Sequence, residues 1–303
     1  MGKFFEELAK KLAEKWVSLL LLPGMLFAAA AWLGHRLGHQ HALDRAQLKT
    51  VLSDTAAAVG RQSAGTQALL LAGVVLVSTG IGLTVQALAG PTRLLWLGQW
   101  PRPMARSGAK RVRNRRARWH ALVQRRRDLE NATSAESRTL DQQDEVDLAA
   151  ARVNRLAMAV PGRPTWMGDR IHAVEQIARD RYGLDLTFAW PRLWLVLPET
   201  TRADITAAHA GFAAAVATGT WAWPYLLLGA IWWPAAVAGI GIGLTGWTRA
   251  RAAMADLGTM SEAALDVHGR ALATALGVGA PDSLGPLTLV EGETLTGLFR
   301  KGR

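Results

Sequence analysis

Residues 205–247 have the sequence ITAAHAGFAAAVATGTWAWPYLLLGAIWWPAAVAGIGIGLTGW. His209 is the only side chain in this run that titrates near neutral pH, and Arg249 and Arg251 follow directly. A helix needs about 20 apolar residues to cross roughly 30 Å of hydrocarbon. As a single helix the run would be about 64 Å long, so we expect two spans that divide near residues 221–224.

Four spans are expected in all. Two further apolar runs, at residues 16–33 and 68–88, each approach or exceed the length of a span. The second pair is then about 205–220 and 225–247. One long span preceded by a soluble helix is the alternative to that pair, but it would leave Arg249 and Arg251 on the outer side, against the positive-inside rule.

The start of the chain has two interpretations. Phe5, Leu8 and Leu12 share one helical face, which predicts an interfacial amphipathic helix leading into the first span. A cleavable signal peptide is the competitor, but acidic residues among the first lysines and the Pro23-Gly24 pair disfavour it. We therefore expect an uncleaved first span, kinked at Pro23-Gly24.

The sequence thus predicts an all-α membrane protein with four transmembrane helices in two pairs and a mostly helical cytoplasmic domain between them. Both termini are expected in the cytoplasm, and the alanine- and arginine-rich composition favours a bacterial plasma membrane. The predicted divisions are an amphipathic helix (1–15), a first transmembrane pair (16–88) with an outer loop (34–65), a cytoplasmic domain (89–204), a second pair (205–248) and a cytoplasmic helix and tail (249–303).

Composition excludes several classes of site. The 303 residues include no cysteine, so disulfides, thiolate metal sites and cysteine nucleophiles are excluded. The formal net charge of +11 does not by itself indicate nucleic acid, because much of it flanks the predicted spans. We expect a basic cluster after the second span to face lipid and to bind anionic head groups; its members are Arg111, Arg113, Arg115, Arg116 and Arg118.

The cytoplasmic region is expected to be helical. Residues 117–130 and 135–160 predict a helical hairpin, with Thr133 and Glu136 at the spacing of a capping box. Residues 168–182 predict an amphipathic helix. After this helix, the alternation of Leu184, Leu186 and Phe188 is compatible with a short strand.

Residues 164–193 and the helix after the last span carry a resemblance. The matching positions are Pro164, Thr165, Gly168, Glu175, Tyr182, Gly183, Asp185, Trp190, Pro191, Arg192 and Leu193. They resemble an uncharacterised bacterial family, of the actinobacterial type, of multi-pass membrane proteins with PTxxGN, YGLD and WPRL motifs. Asp169 stands where the family usually has Asn, and the Asp266 to Arg270 spacing is one residue longer than the family pattern. The resemblance implies the four-span layout and no activity.

Three groups of side chains are candidates for a site. His35, His39, His41 and Asp44 are of the types that bind zinc or copper, although a polar outer loop also explains them. Asp169, Glu175, Asp185 and Arg192 are the polar residues of the motifs, and a solvated, ion-paired face is the simpler interpretation of them. His209 at membrane depth is a candidate for a proton, ion or helix-pairing role, with a snorkelling or hydrogen-bonded histidine as the alternative.

No catalytic, nucleotide-binding or ion-filter motif is present in the chain, so we expect neither a cofactor nor, on balance, an enzyme. The preferred hypothesis is a non-enzymatic integral membrane protein whose cytoplasmic domain binds a protein partner or self-associates, with a homo-oligomer expected from the glycine-rich spans. The alternative is an oligomeric channel, pore or transport component gated by the cytoplasmic domain. Nucleic acid is an unlikely partner.

Overall fold

The computed structural model describes residues 6–7, 10, 17–279 and 285–300, and these are helical with no strand among them. The amphipathic helix predicted over residues 1–15 lies outside the described residues except at 6–7 and 10. The helices are α1 (Leu22–Leu37), α2 (Arg45–Gly60), α3 (Ala64–Ala87), α4 (Ala89–Trp96), α5 (Ala105–Ala132), α6 (Leu140–Leu156), α7 (Trp166–Tyr182), α8 (Leu186–Val196), α9 (Glu199–Thr220), α10 (Ala222–Leu228), α11 (Trp233–Ala275) and α12 (Leu289–Arg300).

The chain forms two compact units. Unit 1 comprises Met1–Thr92 and Ala213–Arg249, and unit 2 comprises Arg93–Phe212 and Ala250–Arg303. Because the divisions fall inside α9 and α11, each of these two helices contributes residues to both units.

In unit 1, α1 and the residues before it pack closely against α3. A π-helical stretch, Val17–Leu21, precedes α1, and Pro23 lies in the first turn of α1, where its missing N–H costs no hydrogen bond. A Cβ atom at Gly24 would lie 2.0 Å from the Ser78 carbonyl oxygen, and one at Gly82 would lie 2.6 Å from that of Leu20. Glycine at these two positions therefore allows the backbones to touch.

One helical stretch, Ala64–Trp96, is long and apolar enough to cross a membrane, judged by length and composition within the described residues. It contains the predicted span at 68–88. Many of its large side chains are exposed, with Leu69 at 75% and Leu76 at 72% of their full accessible area, whereas Val85 is buried. The all-helical class is thus confirmed for the described residues, together with one candidate span, and the four-span layout stays a prediction.

The predicted fourth span at 225–247 is not one helix. The expected division near residue 221 is present, because α9 ends at Thr220 and α10 begins at Ala222. A second break follows at residues 229–232, where the N–H groups of Ile231 and Trp232 bond to the Leu228 carbonyl oxygen. Pro234 then lies in the first turn of α11, so α11 can begin there without losing a backbone hydrogen bond.

Unit 2 contains the predicted hairpin, formed by α5 and α6. The predicted capping box at Thr133 and Glu136 is wrong, since Thr139 and Gln142 form the capping box at the start of α6. A threonine followed three residues later by Glu or Gln occurs twice in this segment, at Thr133 and at Thr139. In the second pair, Oε1 of Gln142 accepts from the Thr139 N–H at 3.0 Å. Residues 135–137 form only a short 3₁₀ turn.

The core of unit 2 lies among α7, α8, α11 and α12. Leu184, Leu193, Leu265 and Leu295 are each 0–1% exposed within it. No strand follows α7: Leu186 begins α8, and Asp185 caps that helix by accepting the Thr187 N–H. The alternating apolar residues Leu184, Leu186 and Phe188, which are compatible with a strand, therefore lie in a turn and in the first residues of a helix.

We predict that Gly82→Ala destabilises unit 1 and that Gly80→Ala does not. The new Cβ at residue 82 would overlap the Leu20 carbonyl oxygen, whereas nothing lies within 4 Å of a Cβ at residue 80. Overpacking costs about 1–3 kcal/mol, and alanine is about 1 kcal/mol better than glycine in a helix. Thermal unfolding of the detergent-solubilised chain measures both, and equal melting temperatures for the two variants would contradict the close packing.

Candidate functional site

Unit 2 has an open pocket of about 410 Å³ between α7, α8, α9 and α11. Its walls are mainly apolar, and the pocket leads to the core through Val174 and Ile205, which are 5% and 4% exposed. The lining residues are Ile171, Val174, Glu175, Leu186, Thr187, Trp190, Pro191, Ile205, His209, Leu257, Gly258 and Ser261.

Two of the candidate site residues, Glu175 and His209, line this same pocket, as do the motif residues Trp190 and Pro191. Glu175 is on α7, where its Oε2 lies 3.4 Å from Nδ1 of His172, one turn earlier on the same face. His209 is on α9, four residues after Ile205, so the two side chains share a helical face. His209 belongs to the part of α9 that lies in unit 2.

The lining of the pocket is mainly apolar with a few polar groups. Seven of its side chains are hydrocarbon or indole, and its polar groups are a carboxylate, an imidazole and two hydroxyls. Small-molecule sites have this composition, because the apolar wall supplies affinity and a few polar groups fix orientation. A ligand with an apolar body and one hydrogen-bonding end would match the apolar walls and the four polar groups.

Asp185 holds the pocket wall formed by α8 in place. Its Oδ2 accepts from Nη2 of Arg300 at 2.7 Å, and its N–H donates to Oγ1 of Thr296 at 3.0 Å. The hydrogen bond from Arg300, with those from Thr187, lowers the pKa of Asp185 despite its burial. Asp185 thus ties the start of α8 to α12 and does not line the pocket.

Arg192, the other basic residue of the motif, is also internal. Its Nη1 donates to the Phe188 carbonyl oxygen at 2.6 Å, and its guanidinium carbon lies 4.5 Å from the centre of the Phe299 ring. The hydrogen bond is internal to α8, and the cation–π contact joins α8 to α12.

Asp169 is a buried anchor for the loop between α6 and α7. It is 3% exposed, and its oxygens accept from the Gly162 N–H at 2.8 Å, the Arg163 N–H at 2.6 Å and the Arg115 guanidinium at 2.7 Å. Arg115 also donates to the Leu156 carbonyl oxygen. The carboxylate thus fastens the α5–α6 hairpin to the start of α7.

The five arginines predicted to face lipid have different environments. Arg115 binds Asp169, Nε of Arg116 donates to the Pro161 carbonyl oxygen at 2.7 Å, and Arg111 stacks on Trp100. A long basic side chain on a hairpin helix can reach carbonyl oxygens and carboxylates of its own chain, and the lipid-facing role of the cluster stays a prediction. Arg113 and Arg118 are exposed on α5.

The candidate metal ligands have separate roles in unit 1. Asp44 caps α2 by accepting the N–H groups of Ala46 and Gln47, and Nε2 of His39 lies 2.8 Å from the Ala230 carbonyl oxygen. His35 is exposed in the last turn of α1, and His41 is exposed in the following turn. Within the described part of the chain, no three His, Asp or Glu residues are grouped as metal ligands would be.

Sequence reasoning missed the contribution of α11 to the pocket. Leu257, Gly258 and Ser261 lie on one face of that helix, and Ser261 is 9% exposed. Their helical spacing, continued by Leu265 in the core, is the signal that could have grouped them. The helical spacing does not show which other helices this face of α11 contacts, because tertiary packing alone determines that.

Comparisons of the chain with protein-family models, with curated proteins and with solved structures find no match. Over the residues that the structure describes, the chain is all-helical and has one apolar helix of membrane-spanning length. The resemblance to a bacterial membrane-protein family stays a prediction.

We predict that Asp169→Asn lowers the free energy of unfolding by about 2 kcal/mol. This is less than the 3–5 kcal/mol for breaking a fully buried pair, because 18% of the Arg115 side chain is exposed. The double variant Asp169→Asn with Arg115→Met should recover part of the loss, since it removes the uncompensated charge. Arg118→Gln is the control on the same helix and should change nothing. Thermal unfolding of Asp169→Asn, of Arg115→Met and of the double variant measures the coupling, and additive effects of the two single changes would contradict it.

Proposed function

We propose that this chain is a multi-pass protein of the bacterial plasma membrane whose unit 2 binds a small amphipathic molecule in the pocket between α7, α8, α9 and α11. In this proposal unit 1 supplies four spans in two pairs, and residues 93–212 and 250–303 are cytoplasmic. Both termini then lie in the cytoplasm. Self-association and recruitment of a protein partner stay predictions of the sequence.

The observation that supports membrane embedding is the exposed apolar surface of unit 1. Large side chains with at least half of their area exposed occur on α1, α3, α10 and the first part of α11, as well as at residue 231. They include Leu22, Leu26, Leu69, Leu71, Val74, Leu76, Val77, Leu83, Leu227, Ile231, Val237, Ile240 and Leu244. A soluble protein rarely exposes this much apolar surface, which favours lipid as the surrounding medium.

The lengths of the second pair fit this proposal with a small mismatch. Residues 213–228 would extend about 24 Å and residues 233–247 about 23 Å at 1.5 Å per residue. Both values are below the average hydrocarbon thickness of roughly 30 Å, and local thinning of the bilayer accommodates short spans at modest cost. The third span then begins after His209, which leaves that histidine available to the pocket.

The orientation follows from the basic residues. Arg113 and Arg118 after the first pair and Arg249 after the second pair are exposed, and arginine close to the end of a span marks the cytoplasmic side. An even number of spans places all of them on one side of the membrane.

The size of the pocket favours a small molecule over a protein. About 410 Å³ lies within the range of roughly 300–1,000 Å³ of small-molecule sites. A stable protein interface covers about 800 Å² on each partner and needs a broad surface. The apolar walls and the polar groups of Glu175, His209, Thr187 and Ser261 favour a ligand with an apolar body and one polar end.

Labelling of single-cysteine variants tests the proposed topology, because the chain has no cysteine of its own. With a membrane-impermeant maleimide on intact spheroplasts, Asp54→Cys should be labelled, whereas Glu136→Cys and Asp256→Cys should need detergent. All three residues are exposed. Labelling of Asp256→Cys from outside would indicate three spans, and absence of labelling at Asp54→Cys in intact spheroplasts would contradict the proposed first pair of spans.

We predict that the pocket takes up a photoreactive probe, an eight-carbon alcohol with a diazirine group. Mass spectrometry of the labelled full-length chain should place the label on residues 171–191 or 257–261. Thr187→Trp, which fills the pocket mouth, should reduce this labelling at least fivefold. Thr294→Trp is the matched control on α12 and should leave it unchanged. Labelling that resists Thr187→Trp would contradict binding in this pocket.

A further inference from the structure

Two arginines of unit 2 lie against one tryptophan ring, outside the pocket. The guanidinium carbon of Arg251 is 4.3 Å from the centre of the Trp166 ring, and that of Arg170 is 5.9 Å from it. The indole N–H of Trp166 donates to the Arg155 carbonyl oxygen at 3.1 Å, which fixes the ring. Two guanidinium groups are thus positioned beside one ring.

Arg170 is held rigidly and at an electrostatic cost. Its Nη2 donates to Oγ1 of Thr259 at 3.0 Å, and a Cβ atom at Gly258 would lie 2.9 Å from its Nε, so the side chain lies directly on the α11 backbone. Its Nε is buried without a hydrogen-bond partner. Burial lowers the pKa of Arg170, and the charge of Glu262 offsets only part of that effect.

No carboxylate within the described residues reaches salt-bridge distance of Arg170. A desolvated guanidinium is stabilised by a bound anion, and its planar fork of N–H donors matches the oxygens of a phosphate group. An anion beside Arg170 would also attract Arg251, because the two guanidinium carbons lie 5.9 Å and 4.3 Å from the centre of the same ring.

The position of Arg251 along its helix suggests where the anion comes from. Arg251 is four residues, or about 6 Å along the helix axis, beyond Trp247, the last residue of the predicted fourth span. This step rests on the proposed span. At that depth the chain meets phosphate head groups, where tryptophan and arginine are enriched.

We propose that Trp166, Arg170 and Arg251 form a phosphate-binding site whose occupant is the head group of an anionic lipid. This site differs from the basic cluster predicted on α5, in which Arg115 and Arg116 bind protein groups. The two guanidinium groups bind the phosphate oxygens, and the Trp166 ring keeps both side chains in position.

The test measures lipid binding to the full-length chain by native mass spectrometry from detergent. Phosphatidylglycerol should bind more tightly than phosphatidylcholine. Arg170→Gln and Arg251→Gln should each weaken phosphatidylglycerol binding about fivefold, the effect of one basic residue near an anionic lipid. Arg113→Gln and Arg118→Gln remove the same charge from exposed positions of α5 and should change it less than twofold. Arg170→Lys keeps the charge without the planar fork and should give an intermediate loss.

Equal losses in the α5 controls would overturn the proposal, because they would indicate diffuse charge attraction. Wild-type binding by both Arg170→Gln and Arg251→Gln would also overturn it. If one variant fails to fold, as judged by thermal unfolding, the other carries the test together with Arg170→Lys. Competition by 10 mM inorganic phosphate would support the phosphate site but overturn the lipid as its source. Cysteine labelling reports membrane insertion separately, so failure of this site is distinguishable from failure of the proposed function.

Discussion

The turn between α7 and α8 is the constraint on which unit 2 depends. Gly183 adopts a positive φ of 64°, which a side-chain-bearing residue rarely does, and Asp185 then caps α8. A Cβ atom at Gly292 of α12 would lie 1.6 Å from the Tyr182 carbonyl oxygen, so α12 touches this turn backbone to backbone. Thr296 completes the contact by donating to the Gly183 carbonyl oxygen at 2.8 Å. The direction of α8, and with it one wall of the pocket, is set here.

The charged residues of unit 2 mainly join segments that are distant in sequence. Asp169 links the α5–α6 hairpin to α7, Asp185 links α8 to α12, and Arg270 binds Glu291 at 2.8 Å. Tyr182 donates to Asp266, and burial together with this bond raises its pKa to about 12, so the hydroxyl stays protonated. Such pairs contribute little net stability when exposed but penalise alternative packings when buried. Through these pairs, α7, α8 and α11, which line the apolar pocket, are each joined to another segment of unit 2.

Particular residues show how far sequence reasoning went. Helical periodicity located α7 to within two residues, because the amphipathic pattern of that segment is strong and Thr165 caps it. The capping box was placed at the wrong threonine because two candidate spacings lie within one loop. Pocket residues Glu175 and His209 were both singled out, yet for unrelated reasons, and Ser261 was not singled out at all. Side chains from α7, α9 and α11 meet only after folding.

The sequence by itself determined that the chain is helical and that α3 is apolar enough to cross a membrane, because both properties depend on residues close together in the chain. It also determined that thiol chemistry is absent. Tertiary structure decided that Arg115 binds Asp169 and that Asp185 binds Arg300 of α12 without lining the pocket. It also decided that Glu175 and His209 line one cavity. These pairings join residues separated by tens of positions, and the free energy of each depends on burial and geometry that local sequence does not encode.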